Sequence, residues 1–140
     1  FLLGLSTGAR GVLLVALQNP DLFAGGASLS GDCDQSLMPN DNLMRALYGP
    51  YASNRTRWES VDNPRQEVLK GNWKMPLYIG HGKKDAVSPF EQSRLLYETI
   101  CAKNPGLRCV FSAPENAGHT FDYWKSEVPA VMEFFAGIAK

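Results

Sequence analysis

The sequence predicts an α/β fold, a parallel sheet flanked by helices, on three observations. Short apolar runs alternate with longer segments of helical character along all 140 residues, and such alternation gives parallel strands joined by right-handed crossovers. One junction, Gly4-Leu5-Ser6-Thr7-Gly8, is a Gly-flanked turn between an apolar strand and a small-residue helix. The residues best suited to chemistry each fall just after a predicted strand, the edge where open α/β sheets carry their sites.

The elements follow in order. A strand over residues 1–5 leads through the turn into a helix over 9–18, which Asn19-Pro20-Asp21 ends. Residues 23–31 read as a second strand, whose small residues allow close packing. Residues 32–73 form a long polar stretch with weak helical periodicity around 42–48 and 64–70. That is too long for an ordinary loop. It reads as an excursion or lid over the site, or alternatively as surface helices that cover the sheet edge. Residues 75–80 form a third strand. A helix then runs to about residue 102, with Ser88 as N-cap, Pro89 at the first helical position and Glu91 completing a capping box. A strand over 107–112 and a helix over 123–138 complete the chain.

Composition narrows the class. The length suits one domain. Fourteen cationic side chains balance 14 anionic ones, which gives no attraction to nucleic acid. No apolar run approaches the length of a membrane span. No metal-site spacing, phosphate loop or dinucleotide fingerprint appears, so neither metal nor cofactor is expected. Cys33, Cys101 and Cys109 are expected as three reduced thiols, although Cys101 and Cys109 flank a loop short enough to consider a disulfide. With no visible signal and an odd cysteine count the compartment is open between cytoplasmic and exported, the cytoplasm slightly favoured. Phe1 falls inside what should be a central strand, and a strand lacking a neighbour leaves backbone groups unpaired. The expectation is a C-terminal part of a larger domain, completed by a separate N-terminal portion. The alternative is a complete small α/β domain.

Chemistry centres on Ser6. A sharp turn with flanking glycines exposes its hydroxyl, and the Thr7 N–H, at a helix N-terminus, can donate to a developing oxyanion. A serine nucleophile needs a base and an orienting carboxylate. There are two histidines. His119 lies beyond the last strand. His81 lies in Gly80-His81-Gly82-Lys83-Lys84-Asp85, where it reads as a polar anchor for the Asp85 loop. The order serine, acid, histidine is that of an α/β-hydrolase. Asp32 and Asp34, at the end of the second strand, compete with Asp85 for the acid role. Asp122 and Glu115 read as local or solvated carboxylates, and Phe121, Tyr123 and Trp124 as packing for the last helix.

Four segments carry a resemblance: Gly4-Leu5-Ser6-Thr7-Gly8, the run Gly80 to Pro89, Gly118-His119, and residues 47–64 from Leu47-Tyr48-Gly49 to Asp62-Asn63-Pro64. The chain resembles the C-terminal half of the Putative esterase family of α/β-hydrolases. That family includes esterase D-type enzymes, tributyrin and feruloyl esterases and mycolyltransferases. The resemblance implies nucleophile Ser6, acid Asp85, base His119 and an oxyanion donor in the Thr7 N–H. It implies a small acyl ester as substrate, no cofactor, and a second oxyanion donor from a preceding loop. Thr7 and Ala9 depart from the family's more frequent Met or Gln and Gly. On the same scaffold an acyltransferase or peptidase is possible. A non-catalytic α/β binding module and an inactive fragment are the readings outside catalysis.

Overall fold

The computed structural model describes residues 1–139. Four strands, β1 (Leu2–Leu5), β2 (Gly26–Leu29), β3 (Leu77–Gly80) and β4 (Cys109–Ser112), form one sheet in the order β1-β2-β3-β4. Every neighbouring pair is parallel. Leu5, Leu29, Gly80 and Ser112 lie in one register row, so all four chains leave the sheet at the same edge.

Helices cover both faces. On one, α1 (Thr7–Gln18) and α5 (Phe90–Lys103) bury Val12, Leu13, Leu96 and Ile100 against Leu77 and Ile79. On the other, α6 (Phe121–Ile138) lays Tyr123, Trp124, Val131, Phe134 and Phe135 on Ala27, Leu29 and Tyr78. The spacing of these α6 residues is one helical stripe. Its polar member, Glu127, is satisfied by Tyr78 Oη at 2.6 Å and Ser112 Oγ at 2.9 Å.

Between β2 and β3 the chain forms α2 (Asn42–Tyr48), α3 (Arg55–Ser60), α4 (Pro64–Leu69) and two short 3₁₀ turns. Met44, Tyr48 and Trp58 make a private core there, with the Trp58 indole N–H donating to Gly49 O at 2.9 Å. The expected helices at 42–48 and 64–70 are present; α3 was not foreseen.

Other boundaries differ from expectation for local reasons. The helix α1 starts at Thr7 rather than Ala9, directly after the serine. The second strand is four residues, because Ser30 turns to φ +55°. Ser88 does not cap α5. Pro89 precedes Phe90 there with no side-chain cap, because Asp85 Oδ1 takes the Val87 and Ser88 N–H groups at 2.9 and 2.8 Å. The last helix opens two residues early, at Phe121, capped by Thr120 Oγ1. All three cysteines are free thiols.

Candidate active site

Ser6 sits between β1 and α1 at φ +54°, ψ −121°. That conformation is costly for a residue with a Cβ. It is held by Ser6 N donating to Leu29 O at 2.9 Å and by Ala9 N donating to Ser6 O at 2.9 Å. Gly4 permits the tight passage: a Cβ there would lie 2.1 Å from Gly8 O. Thr7 is the first residue of α1, where the N–H groups have no partner within the helix.

His119 follows β4 in the turn Gly118-His119-Thr120. Its Nε2 is 2.9 Å from Ser6 Oγ and its Nδ1 is 2.7 Å from Asp85 Oδ2. Trp124 meets the ring edge-on at 4.9 Å and is itself tied through Nε1 to Ser30 Oγ at 3.0 Å. The Asp85 carboxyl is fully buried. Burial pushes its pKa up, but hydrogen bonds from His119 and from the Ser88 and Val87 N–H groups outweigh that, and the net direction is down. The Asp85 and His119 loops are laced together by Lys84 N to Ala117 O at 2.9 Å and Lys83 N to Pro114 O at 3.0 Å.

The competing carboxylates are engaged elsewhere. Asp32 accepts from Arg10 Nη1 at 2.5 Å. Asp34 accepts from Ser36, Asn63 and Arg65; burial raises its pKa, those bonds lower it, and the bonds prevail. Glu115 pairs with Lys83 at the surface. Asp122 lies in the first turn of α6, on the rim of an apolar hollow of about 450 Å³ beside Leu3 and Leu5. His81 is buried behind Asp85, with Nε2 3.0 Å from Ser88 O and 3.2 Å from Asp85 Oδ2.

One residue escaped the sequence reading. Arg10 lies one turn beyond Ser6, buried in α1. Besides Asp32, its guanidinium donates to Gln35 Oε1 at 2.8 Å, Tyr48 Oη at 3.3 Å and Asp62 O at 2.5 Å. Burial lowers its pKa, the charge of and hydrogen bond to Asp32 raise it, and the net direction is up. The available signal was a lone arginine in an otherwise apolar helix. Next to Ser6 a cavity of about 220 Å³ opens, lined by Thr7 and Ser30, by Met38, Leu43 and Met44 of the excursion, and by Val87.

Among the described residues, no group of three or more His, Cys, Asp or Glu side chains is arranged to hold a metal ion. None of the described helices is long and apolar enough to cross a membrane.

Known proteins of similar sequence and shape agree with this architecture. A curated relative, the non-reducing polyketide synthase pkbA of Emericella nidulans, is 30% identical over 63 residues, 45% of this chain and 2% of its own length. Among solved structures, a puromycin hydrolase superposes with a TM-score of 0.79 at 20% identity, over 97% of this chain and 21% of that one. A ferulic acid esterase superposes with a TM-score of 0.69 at 18% identity, over 97% of this chain and 50% of that one. The chain thus spans half or less of these proteins, and at such identities the structures report the fold, that of the α/β-hydrolases. The family model described as Putative esterase matches residues 1–135. From Phe1 to within five residues of its end, the chain belongs to the Putative esterase family.

Proposed function

We propose that this chain carries the reacting groups of a serine hydrolase that cleaves carboxylic esters through an acyl-enzyme on Ser6. The observation that carries the reading is the hydrogen-bonded chain Ser6 Oγ, His119, Asp85, at 2.9 and 2.7 Å. Membership of an esterase family and the hydrolase fold support it.

The chemistry follows from the geometry. His119 Nε2 accepts the Ser6 proton as Oγ attacks the ester carbonyl. Asp85 holds Nδ1–H, fixes the tautomer, and stabilises the imidazolium that forms. The Thr7 N–H, at the positive end of α1, donates to the oxyanion. Collapse expels the alcohol, which takes the proton from His119. Water then attacks the acyl-enzyme, giving its proton to His119, and the acid leaves as Ser6 is reprotonated. The small cavity beside Ser6 is the space for one of the two ester groups, and the 32–73 excursion forms one wall of it.

The test is a fluorophosphonate adduct mapped by mass, with turnover of matched p-nitrophenyl esters and p-nitroanilides. An adduct on Ser6, lost in Ser6→Ala, and ester turnover well above anilide turnover are expected. Asp85→Asn lowers kcat on the order of 10⁴-fold. A folded chain that takes no adduct at Ser6 overturns the reading, and anilide turnover equal to ester turnover moves it to a peptidase.

A further inference from the structure

We propose that the cavity beside Ser6 selects esters whose short group carries an ammonium, held by Asp32 and Asp41. The proposal rests on the hydrolase reading above and adds a substrate class to it.

The cavity of about 220 Å³ has an apolar part, supplied by Met38, Leu43, Met44 and Val87. Two of its lining residues are charged, Asp32 and Asp41, and both are anionic. Each spends one oxygen on the protein. Asp32 Oδ1 accepts from Arg10 Nη1 at 2.5 Å, and Asp41 Oδ1 accepts from the Met44 N–H at 2.9 Å, capping α2. Among the described residues, neither Oδ2 has a hydrogen-bond partner. Asp32 is only 9% exposed, yet its Oδ2 is not sealed in. The side-chain atoms that are both sealed and unpartnered are Asn104 Nδ2 and Tyr123 Oη. The free oxygen of Asp32 therefore opens onto the cavity that this residue lines.

Arg10 does not fill that opening. It stands behind Asp32, outside the lining, with its guanidinium engaged by Asp32, Gln35, Tyr48 and Asp62. It balances the charge of Asp32, whereas Asp41 forms no ion pair among the described residues. A purely apolar group seated here would cover the Asp32 oxygen without replacing its water, which costs free energy. A carboxylate would meet two like charges. An ammonium brings N–H donors to the free acceptors, and a bond from a charged donor to a carboxylate is the stronger kind. The methylenes of the same chain rest on the apolar side chains. Ser6 shares the lining, so a group held there keeps its ester carbonyl near the nucleophile.

The experiment compares p-nitrophenyl esters of β-alanine and of butyric acid, whose acyl chains match atom for atom. On the alcohol side it compares 3-aminopropyl benzoate with butyl benzoate. Each kcat/KM ratio is divided by the ratio of the hydroxide rates, which removes the intrinsic activation by the cation. One corrected ratio is expected to favour the ammonium by about tenfold or more. Asp41→Asn keeps a capping side chain and should cut that preference several-fold, as should Asp32→Asn. Corrected ratios near one for both pairs, or a preference that Asp41→Asn leaves unchanged, overturn the proposal. Amide NMR of the unsubstituted chain is independent of turnover and of variant folding. Titration with n-propylammonium should move the Asp32, Asp41 and Thr7 signals well beyond the effect of 1-propanol. Equal responses to the two overturn the proposal, whereas an ammonium-selective response in a chain that turns over no ester sinks only the hydrolase reading.

Discussion

Gly4 and Gly8 flank Ser6 symmetrically in the sequence but not in space. A Cβ on Gly4 would collide with the Gly8 carbonyl, whereas one on Gly8 meets nothing within 4 Å. Gly4→Ala is therefore expected to displace α1 from β1 and abolish labelling of Ser6. Gly8→Ala should retain labelling and add up to about 1 kcal/mol of stability, because it removes a helical glycine. Urea unfolding of both variants checks this, and destabilisation by Gly8→Ala would show that the position has another constraint. The motif told which residue to examine, but not which glycine is sterically needed. Likewise, sequence spacing left Asp85 in competition with Asp32 and Asp34. The structure sets Asp85 beside His119, while Arg10, 22 residues from Asp32 in sequence, engages that carboxylate, a pairing that no local window reveals.

At the scale of elements, the excursion between β2 and β3 hangs on that arginine. One guanidinium reaches Asp32, Gln35, Tyr48 and Asp62, and so joins the Ser6 helix to the chain that walls the cavity. Removing it strands a nearly buried carboxylate. Arg10→Met is expected to cost about 3–5 kcal/mol by urea unfolding. Arg10→Met combined with Asp32→Asn should cost less than the sum of the singles; full additivity would mean the pair is not coupled. The sheet and its long helices were legible because their apolar periodicity is strong. The six-residue α3 buries a single side chain, Trp58, which gives no apolar period to read, and so it was missed. The Ser88-Pro89-Glu91 signature misled for a different reason. Asp85 lies close enough to capture the Ser88 N–H first, and a tertiary partner prevailed over a local one.

For the whole molecule, the depressed pKa values fix how stability responds to acid. Three of these groups have buried side chains: His81, Asp85 and Asp34. A folded-state pKa below the unfolded one contributes stability that is full above the unfolded value and is lost as pH falls toward the folded one. For His81 the loss begins below about pH 6.5, and for the two carboxylates below about pH 4. Thermal unfolding from pH 8 to 3 should show both stages, and His81→Gln should lack the first. A melting temperature that is flat between pH 7 and 4.5 would mean that His81 is not held neutral. The parallel architecture, and the edge at which Ser6, Asp85 and His119 meet, were readable from the alternation of strands and helices, since every crossover returns the chain to the same edge. That edge also dictates when the site can exist during folding. The Ser6–His119 contact joins residues 113 positions apart, across all four strands of the sheet. Closing so long a loop is entropically costly and slow. Refolding chains will thus recover helix and sheet before they recover a reactive serine, and partial opening of the last helix will silence the site while the rest of the core stays closed.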